Sequence, residues 1–304
     1  MKVSIITIDY NDPEVTQQLL SSLQTVGLHR EVEVVVVDNG SRVSSEPAIK
    51  GLYPWVKFVR SEINLGFAGG NNLGMRYATG EYIFFLNNDT ELKEDIISTM
   101  VSILERNPQI GILCPEIRYY DKQEAIQYTG FTPINPVTGR NKCLTSELDT
   151  NEWKSTHFPH GAAMLVSRKV IEQVGPMPEL FFLYYEEHDW TEMIRRAGYQ
   201  IGVTPKARVY HKESMSVSRI GELKMYFMTR NRILFMRRNY PGIGLTFFWI
   251  YFLLAATPKN VLSLLFQRDW DNIRALWAGI RWNISSPVSS EKLGYKFDHL
   301  KVTS

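Results

Sequence analysis

Tyr82-Ile-Phe-Phe-Leu-Asn-Asn-Asp-Thr90 runs five apolar or aromatic residues straight into Asn87, Asn88 and Asp89. A hydrophobic run without polar alternation belongs to a central parallel strand, covered by helices on both faces. Ligands of open α/β sheets collect outside the carboxyl ends of such strands, where an Asn-Asn-Asp cluster can hold a hard cation against phosphate. Taken alone, the same residues are also readable as a turn capping a helix that starts near Glu91.

The flanking sequence repeats the pattern. Residues 3–8 read as a strand, Asp12-Pro13 as an N-cap and first helical position, and Val15, Leu19, Leu20, Leu23 and Val26 as the apolar stripe of a helix. The valine run at 32–37 suits only a doubly covered strand, and it ends in Asp38-Asn-Gly-Ser41. A third strand at 56–60, a glycine-rich helix at 68–78 and the strand at 82–86 complete a βαβ alternation, which predicts right-handed crossovers and a mostly parallel sheet flanked by helices. Further on, the spacing predicts a helix over 91–106, a strand at 110–114, another at 161–166, a helix at 168–174 closed by Gly175, a helix at 191–197 and a strand from 199 to 210 with His211 at its end. Residues 117–157 lose this rhythm and are expected to form a substrate-side excursion.

The chain has 304 residues, and its net charge of +2 hides an asymmetry: residues 223–304 hold 12 of the 34 basic and only 4 of the 32 acidic side chains. This predicts a body at 1–222 and a basic, aromatic-rich helical region at 223–304 that meets something anionic, a membrane surface or nucleic acid. Within it, residues 242–257 carry no charge, fall short of the roughly 20 residues a spanning helix needs, and are interrupted by Pro258-Lys-Asn before the apolar run resumes. An interfacial helix fits that pattern, and a buried helix of an accessory bundle is the other reading. Cys114 and Cys143 are the only cysteines, which points to a reducing compartment. The first apolar run is too short for a signal peptide and ends in Asp9, so it is expected to be the first strand of a protein that is not exported.

Glu186, Glu187 and Asp189 follow Phe181, Phe182, Tyr184 and Tyr185. Clustered carboxylates beside an aromatic wall raise at least one pKa by desolvation and repulsion, as a general base requires, although an acidic first turn favouring a helix dipole has the same look. The glycine-rich stretch at 64–74 lacks Gly-x-Gly-x-x-Gly, so no dinucleotide fingerprint is present.

As an ordered set, Asp38-Asn-Gly-Ser41, Asn64-Leu-Gly-Phe-Ala-Gly-Gly-Asn-Asn72, Asn87-Asn-Asp89, Glu186-Glu-His-Asp189 and His211 resemble an inverting glycosyltransferase of family 2, with the GT-A fold and closest to the bacterial rhamnosyltransferase-like branch. The resemblance covers about residues 3–240. It implies transfer of a sugar, rhamnose among the candidates, from a dTDP- or UDP-linked donor to a glycan or polyprenyl-linked acceptor in cell-surface polysaccharide assembly. It further implies that Asp38 contacts the nucleobase, unless it merely begins a turn with Asn39-Gly40. Gly66, Gly69 and Gly70 would let backbone approach the donor, and Asn64 or Asn71 would donate to it. Asp89 and His211 are implied ligands of Mg²⁺ or Mn²⁺. Asn87 stands where the strict metal motif has an acid and is expected at the ribose or the metal's water, with Asn88 a spacer and metal affinity leaning on the donor's phosphates. Glu187 falls on the base position, with Asp189 the alternative base or an acceptor-positioning group and Glu186 a substrate contact. Arg195 either reaches the diphosphate or is solvated, and the role of His160 is open. The expected location is the cytoplasmic face of the inner membrane, with no nucleic-acid partner. A sugar nucleotidyltransferase and a non-catalytic membrane-attached nucleotide-sugar-binding protein are the alternatives. The first is expected to carry a basic, glycine-rich loop after the first strand, and Thr7-Ile-Asp-Tyr-Asn-Asp12 is neither.

Overall fold

β-branched runs and helix stripes sort into a sheet with helices on both faces. The computed structural model describes residues 2–122, 125–212 and 221–295, so the end of the basic tail, 296–304, lies outside the described residues. β1 (Val3–Asp9), β2 (Glu33–Asn39), β3 (Lys57–Ser61) and β4 (Tyr82–Leu86) pair in parallel in the order β3-β2-β1-β4. Val34 to Val37 are buried on both faces, as the valine run requires. α1 (Pro13–Thr25) starts on the Asp12 carboxylate, which accepts from the Val15 N–H at 3.4 Å, and buries Leu19, Leu20 and Leu23. α2 (Glu46–Leu52) and α3 (Gly66–Tyr77) complete the crossovers.

Beyond β4 the sheet becomes mixed. β9 (Ala163–Ser167) inserts antiparallel between β4 and β6 (Ile110–Tyr119), and β6 runs parallel to β10 (Gln200–His211). The parallel expectation therefore holds for the first four strands. Two element boundaries move. Thr90–Glu91 is not helical but forms β5, antiparallel to the end of β10, and α4 (Ile97–Arg106) starts only after it. The excursion at 117–157 is also less irregular than its composition predicts: β6 continues to Tyr119, β7 (Ile126–Tyr128) pairs with it, and β8 (Lys154–Thr156) pairs with β10. Short strands of this kind are held by neighbours, and periodicity cannot reveal them. α5 (Arg168–Val174) and α6 (Glu186–Arg196) follow, α6 beginning earlier than the expected residue 191. Both cysteines are free.

The C-terminal helices share a core with the body. α7 (Gly221–Asn239) buries Ile233, Leu234, Phe235 and Met236 in succession, so it is enclosed all round. They pack with Ile134, Phe158, Phe181 and Tyr185 of the body and with Leu276 and Ile280 of α10 (Trp270–Ser285). α8 (Ile243–Tyr251), a π-helical turn at Phe252–Ala256 and α9 (Thr257–Phe266) form one helix of 24 residues that Pro258 does not break. The π turn precedes the proline and absorbs the hydrogen bond its ring nitrogen cannot donate. Phe248, Phe252 and Ala256 face inward, while Phe247, Ile250, Leu254 and Phe266 are exposed. By length and composition this helix is apolar enough to cross a bilayer.

Candidate active site

The turn after β4 is built locally. The Asn87 N–H donates to the Ala162 carbonyl at 2.9 Å, and the Thr90 N–H and hydroxyl return to the Asn87 carbonyl at 3.2 and 2.6 Å. The β5–β10 pairing then sets Thr90 opposite His211 and brings His211 Nε2 to 3.2 Å from Asp89 Oδ1. His211 Nδ1 lies 2.9 Å from Gln127 Oε1 on β7. With Nδ1–H donated to Gln127, Nε2 and Asp89 Oδ1 present lone pairs to one another, an arrangement that suits a shared cation. Among the described residues no group of three or more His, Cys, Asp or Glu forms a metal cluster, and those residues bring Asp89 and His211 together there. Asn87 is half-exposed at the mouth. Asn88 is more than a spacer: its amide donates to Thr16 Oγ1 at 3.0 Å, and Thr16 donates to the buried Asp9 at 2.7 Å.

The acidic cluster lies in the first turn of α6, after a strained approach. Phe182, Tyr184 and Tyr185 have φ of 65°, 68° and 72°, values that cost bulky residues of order 1–3 kcal/mol each. The segment is held from two sides. Asn231 Nδ2 on α7 donates to the carbonyls of Phe181, Leu183 and Tyr184 at 2.8, 2.7 and 2.9 Å, and Arg230 Nη1 donates to Leu180 at 2.9 Å. From α3, the Phe67 N–H donates to the Phe182 carbonyl at 2.7 Å.

The three acids have three different environments. Asp189 is almost fully buried and forked by Arg238, with Nε 3.1 Å from both oxygens and Nη2 2.9 Å from Oδ2, while Asn239 Nδ2 donates to Oδ1 at 2.7 Å. This corrects the expectation that Asp189 acts as a base or positions the acceptor, because both oxygens are engaged in tying α6 to α7. Glu186 is buried with Oε2 unbonded, and burial, then repulsion from Glu187, pushes its pKa well up. Glu187 keeps 19% of its side chain exposed, with His188 Nδ1 3.2 Å from Oε1. Burial pushes Glu187 up, but His188, its own helix N–H and His160 together bring it below the ordinary carboxylate range. The raised pKa expected in this cluster therefore falls on Glu186, and Glu187 is the acid left open to solvent.

His160 joins the two halves. It is within electrostatic reach of Glu187, Asp89, His211 and His188, and burial followed by the charge of His211 lowers its pKa to about 4. Its ring lies 5.7 Å from that of His211. His188, which the sequence reading passed over as a residue between two acids, stacks on Phe158 at 4.5 Å and meets the Asn141 amide at 3.1 Å through Nε2. Arg195 sits at the surface, 2.9 Å from His157 Nδ1, in the solvated position.

The glycine and asparagine motifs have structural tasks here. A Cβ on Gly66 (φ 72°) would lie 2.1 Å from the Phe182 carbonyl oxygen, and one on Gly69 2.7 Å from the Leu65 Cβ, so close helix packing requires both. Asn64 Oδ1 accepts from the Gly66 N–H at 2.8 Å, and Asn71 donates to the Phe67 carbonyl at 3.1 Å, so these residues shape α3 and its start. The Asp38 carboxylate is fully buried and accepts from the Ser41 and Ser45 N–H groups, at 2.9 and 3.3 Å, and from Arg60. This is the turn-forming role, and Oδ1 keeps one acceptor position beyond the Ser41 N–H.

The α/β body, with an acid and histidine at adjoining strand ends and a helix-borne carboxylate opposite, is that of a nucleotide-sugar transferase. The family model "Glycosyl transferase family 2" matches residues 4–175, more than half of the chain, and the protein belongs to that family and is a glycosyltransferase. It is 30% identical to the low-salt glycan biosynthesis hexosyltransferase Agl10 of Haloferax volcanii, over 76% of this chain and 74% of that protein. It is 25% identical to the dTDP-rhamnosyl transferase RfbF of Shigella flexneri, over 91% and 97%. Mannosyltransferase PcManGT from Pyrobaculum calidifontis, in complex with GDP-Man and Mn²⁺, shares the fold with a TM-score of 0.55 at 15% identity, over 93% of this chain and 87% of that one.

Proposed function

We propose that the protein is an inverting, divalent-metal-dependent transferase that moves one sugar from a dTDP- or UDP-linked donor to a hydroxyl of a lipid-linked glycan. Rhamnose is the leading donor sugar, since RfbF is by name a dTDP-rhamnosyl transferase that aligns along nearly its whole length. The observation that carries the reading is the setting of Glu187: of three neighbouring acids it alone is neither sealed inside nor forked by an arginine, and His160, whose ring lies 5.7 Å from that of His211, is within electrostatic reach of it.

Glu187 accepts the acceptor hydroxyl's proton as that oxygen bonds to the anomeric carbon. The carbon–oxygen bond to the diphosphate breaks on the opposite face, and its electron pair leaves with the nucleotide, so configuration inverts. A carboxylate that is only weakly basic suffices, because the hydroxyl becomes acidic as its new bond forms. Asp89 and His211 fit a divalent ion, which supplies positive charge against the leaving diphosphate when bound. The exposed face of α8 and α9, with the surrounding basic residues, supports attachment to the cytoplasmic face of a membrane.

Release of nucleoside diphosphate from a panel of donors, with lipid-linked acceptors, tests this. Glu187→Gln is expected to slow turnover by about 10²–10⁴-fold, the range for a lost general base. Unchanged turnover would remove the base assignment, and a product with retained anomeric configuration would remove the single displacement.

A further inference from the structure

α7 carries two buried arginines in different circumstances. Arg230 donates to the carbonyls of Leu180 and Lys292 and to Asn231, and lies 3.9 Å over the Trp282 ring. Arg232 is 6% exposed, and its Nε and Nη2 are buried without a hydrogen-bond partner. Among the described residues it has neither hydrogen bond nor ion pair; its polar surroundings are Tyr185, Tyr251 and a second cation, Arg140 of the excursion. The rings of Phe252 and Phe248 lie 4.9 and 5.8 Å from its guanidinium. Arg140 also has no ion-pair partner among the described residues.

An ionised group buried without a partner, as Arg232 is among the described residues, is costly. An anion from outside would satisfy it, and the planar guanidinium fork matches phosphate. Two observations identify the source. The helix under Arg232 buries Phe248 and Phe252 and exposes Phe247, Ile250 and Leu254, so the cation lies beside an apolar outer surface. A Cβ on Gly139, the residue before Arg140, would lie 3.3 Å from Arg232 Cγ, and the Tyr185 hydroxyl, two residues before Glu187, donates to the Gly139 carbonyl at 3.3 Å, so this corner of the excursion joins the arginines to the segment that carries the base. A lipid-linked glycan has that order: hydrocarbon, then phosphate, then sugar with the reacting hydroxyl.

We propose that Arg232 and Arg140 bind the diphosphate of a prenyl-linked acceptor, with the hydrocarbon along α8 and the sugar directed to Glu187. This rests on the reading of the chain as a transferase to a lipid-linked acceptor, and it assigns the acceptor's anionic group to residues distinct from Asp89 and His211.

Titration calorimetry of the full chain with geranyl diphosphate, geraniol and inorganic diphosphate tests it without turnover. The intact chain should bind geranyl diphosphate more tightly than either half alone. Arg232→Met and Arg140→Gln should each weaken it by about tenfold or more, as loss of a charged partner predicts. Arg140 is exposed, so its variant keeps the fold, and Arg232→Met should melt no lower than the parent because it removes an unpaired buried charge. Equal affinity in both variants, geraniol binding as tightly as its diphosphate, or competitive displacement by dTDP or UDP would each overturn the proposal, the last by giving the arginines to the donor. So would phosphatidylglycerol vesicles competing on equal terms, since the site would then serve the bilayer. Unchanged turnover in Glu187→Gln removes the base and leaves this binding result standing; arginine-independent binding removes the acceptor site and leaves transfer standing.

Discussion

Asp89 and Glu187 face each other across one site but are held in place by different means. Asp89 follows a buried strand and is positioned by β5 and β10, its neighbours in the sheet. Glu187 follows three residues with positive φ, and its position depends on Asn231 and Arg230 of α7 and on Phe67 of α3. The Asp89 side is thus part of the scaffold, while the Glu187 side is strained backbone clamped by a later helix. Strain of a few kcal/mol persists only where surrounding contacts over-determine it. The C-terminal helices accordingly belong to the chemistry as well as to any membrane contact.

The largest effect is expected where the clamp is cut. Asn231→Ala leaves three carbonyls without their donor, which should cost about 3 kcal/mol of stability and, by letting Glu187 drift, about 10²-fold in turnover. Thermal unfolding and kcat measured together check this; turnover lost no further than the folded fraction would show that the strained segment holds its shape unaided.

A smaller effect should follow on the scaffold side. Gln127→Ala frees His211 Nδ1 and should raise the Mn²⁺ or Mg²⁺ concentration for half-maximal turnover by about 10–100-fold, while kcat at saturating metal changes little. A loss of kcat with no change in metal dependence would assign the His211–Gln127 contact to structure alone.

The smallest is a change in pH dependence at Glu186. Its pKa in the fold lies above the unfolded value, so its contribution to stability is fully present below the ordinary carboxylate pKa and is lost as pH rises through the folded one. Glu186→Gln is neutral throughout. It should melt like the parent near about pH 4 and above it at about pH 8, because only the parent must keep a carboxylate protonated there. A parallel pH profile for the two proteins would mean that Glu186 is ionised in the fold.

Much of the scaffold was legible. The valine run at Val34 to Val37, the Asp12-Pro13 helix start and the apolar run of β4 each carry their cause within a few residues, because hydrophobic periodicity and capping are local. Asp89 stood out through its strand-end placement, and His211 and Glu187 through the family resemblance. Signals failed where one pattern serves two physical ends. The glycines and asparagines of 64–72 read as donor contacts, yet Gly66 and Gly69 are small so that α3 can approach its neighbours, and Asn64 and Asn71 satisfy backbone. Three acids in one helical turn read as a catalytic cluster, yet Arg238 and Asn239, both from α7, engage both oxygens of Asp189. The polar Arg230-Asn231-Arg232 inside an aromatic helix was the available hint that α7 reaches the site.

By itself, then, the sequence determined the α/β body, the strand end that carries Asp89 and the acidic turn that carries Glu187, since each follows from contacts between residues close in the chain. Tertiary structure alone decided which acid stays open to solvent, which is sealed and which is spent on an arginine. Ionisation depends on burial and on charges brought in from distant elements, and no local pattern encodes those.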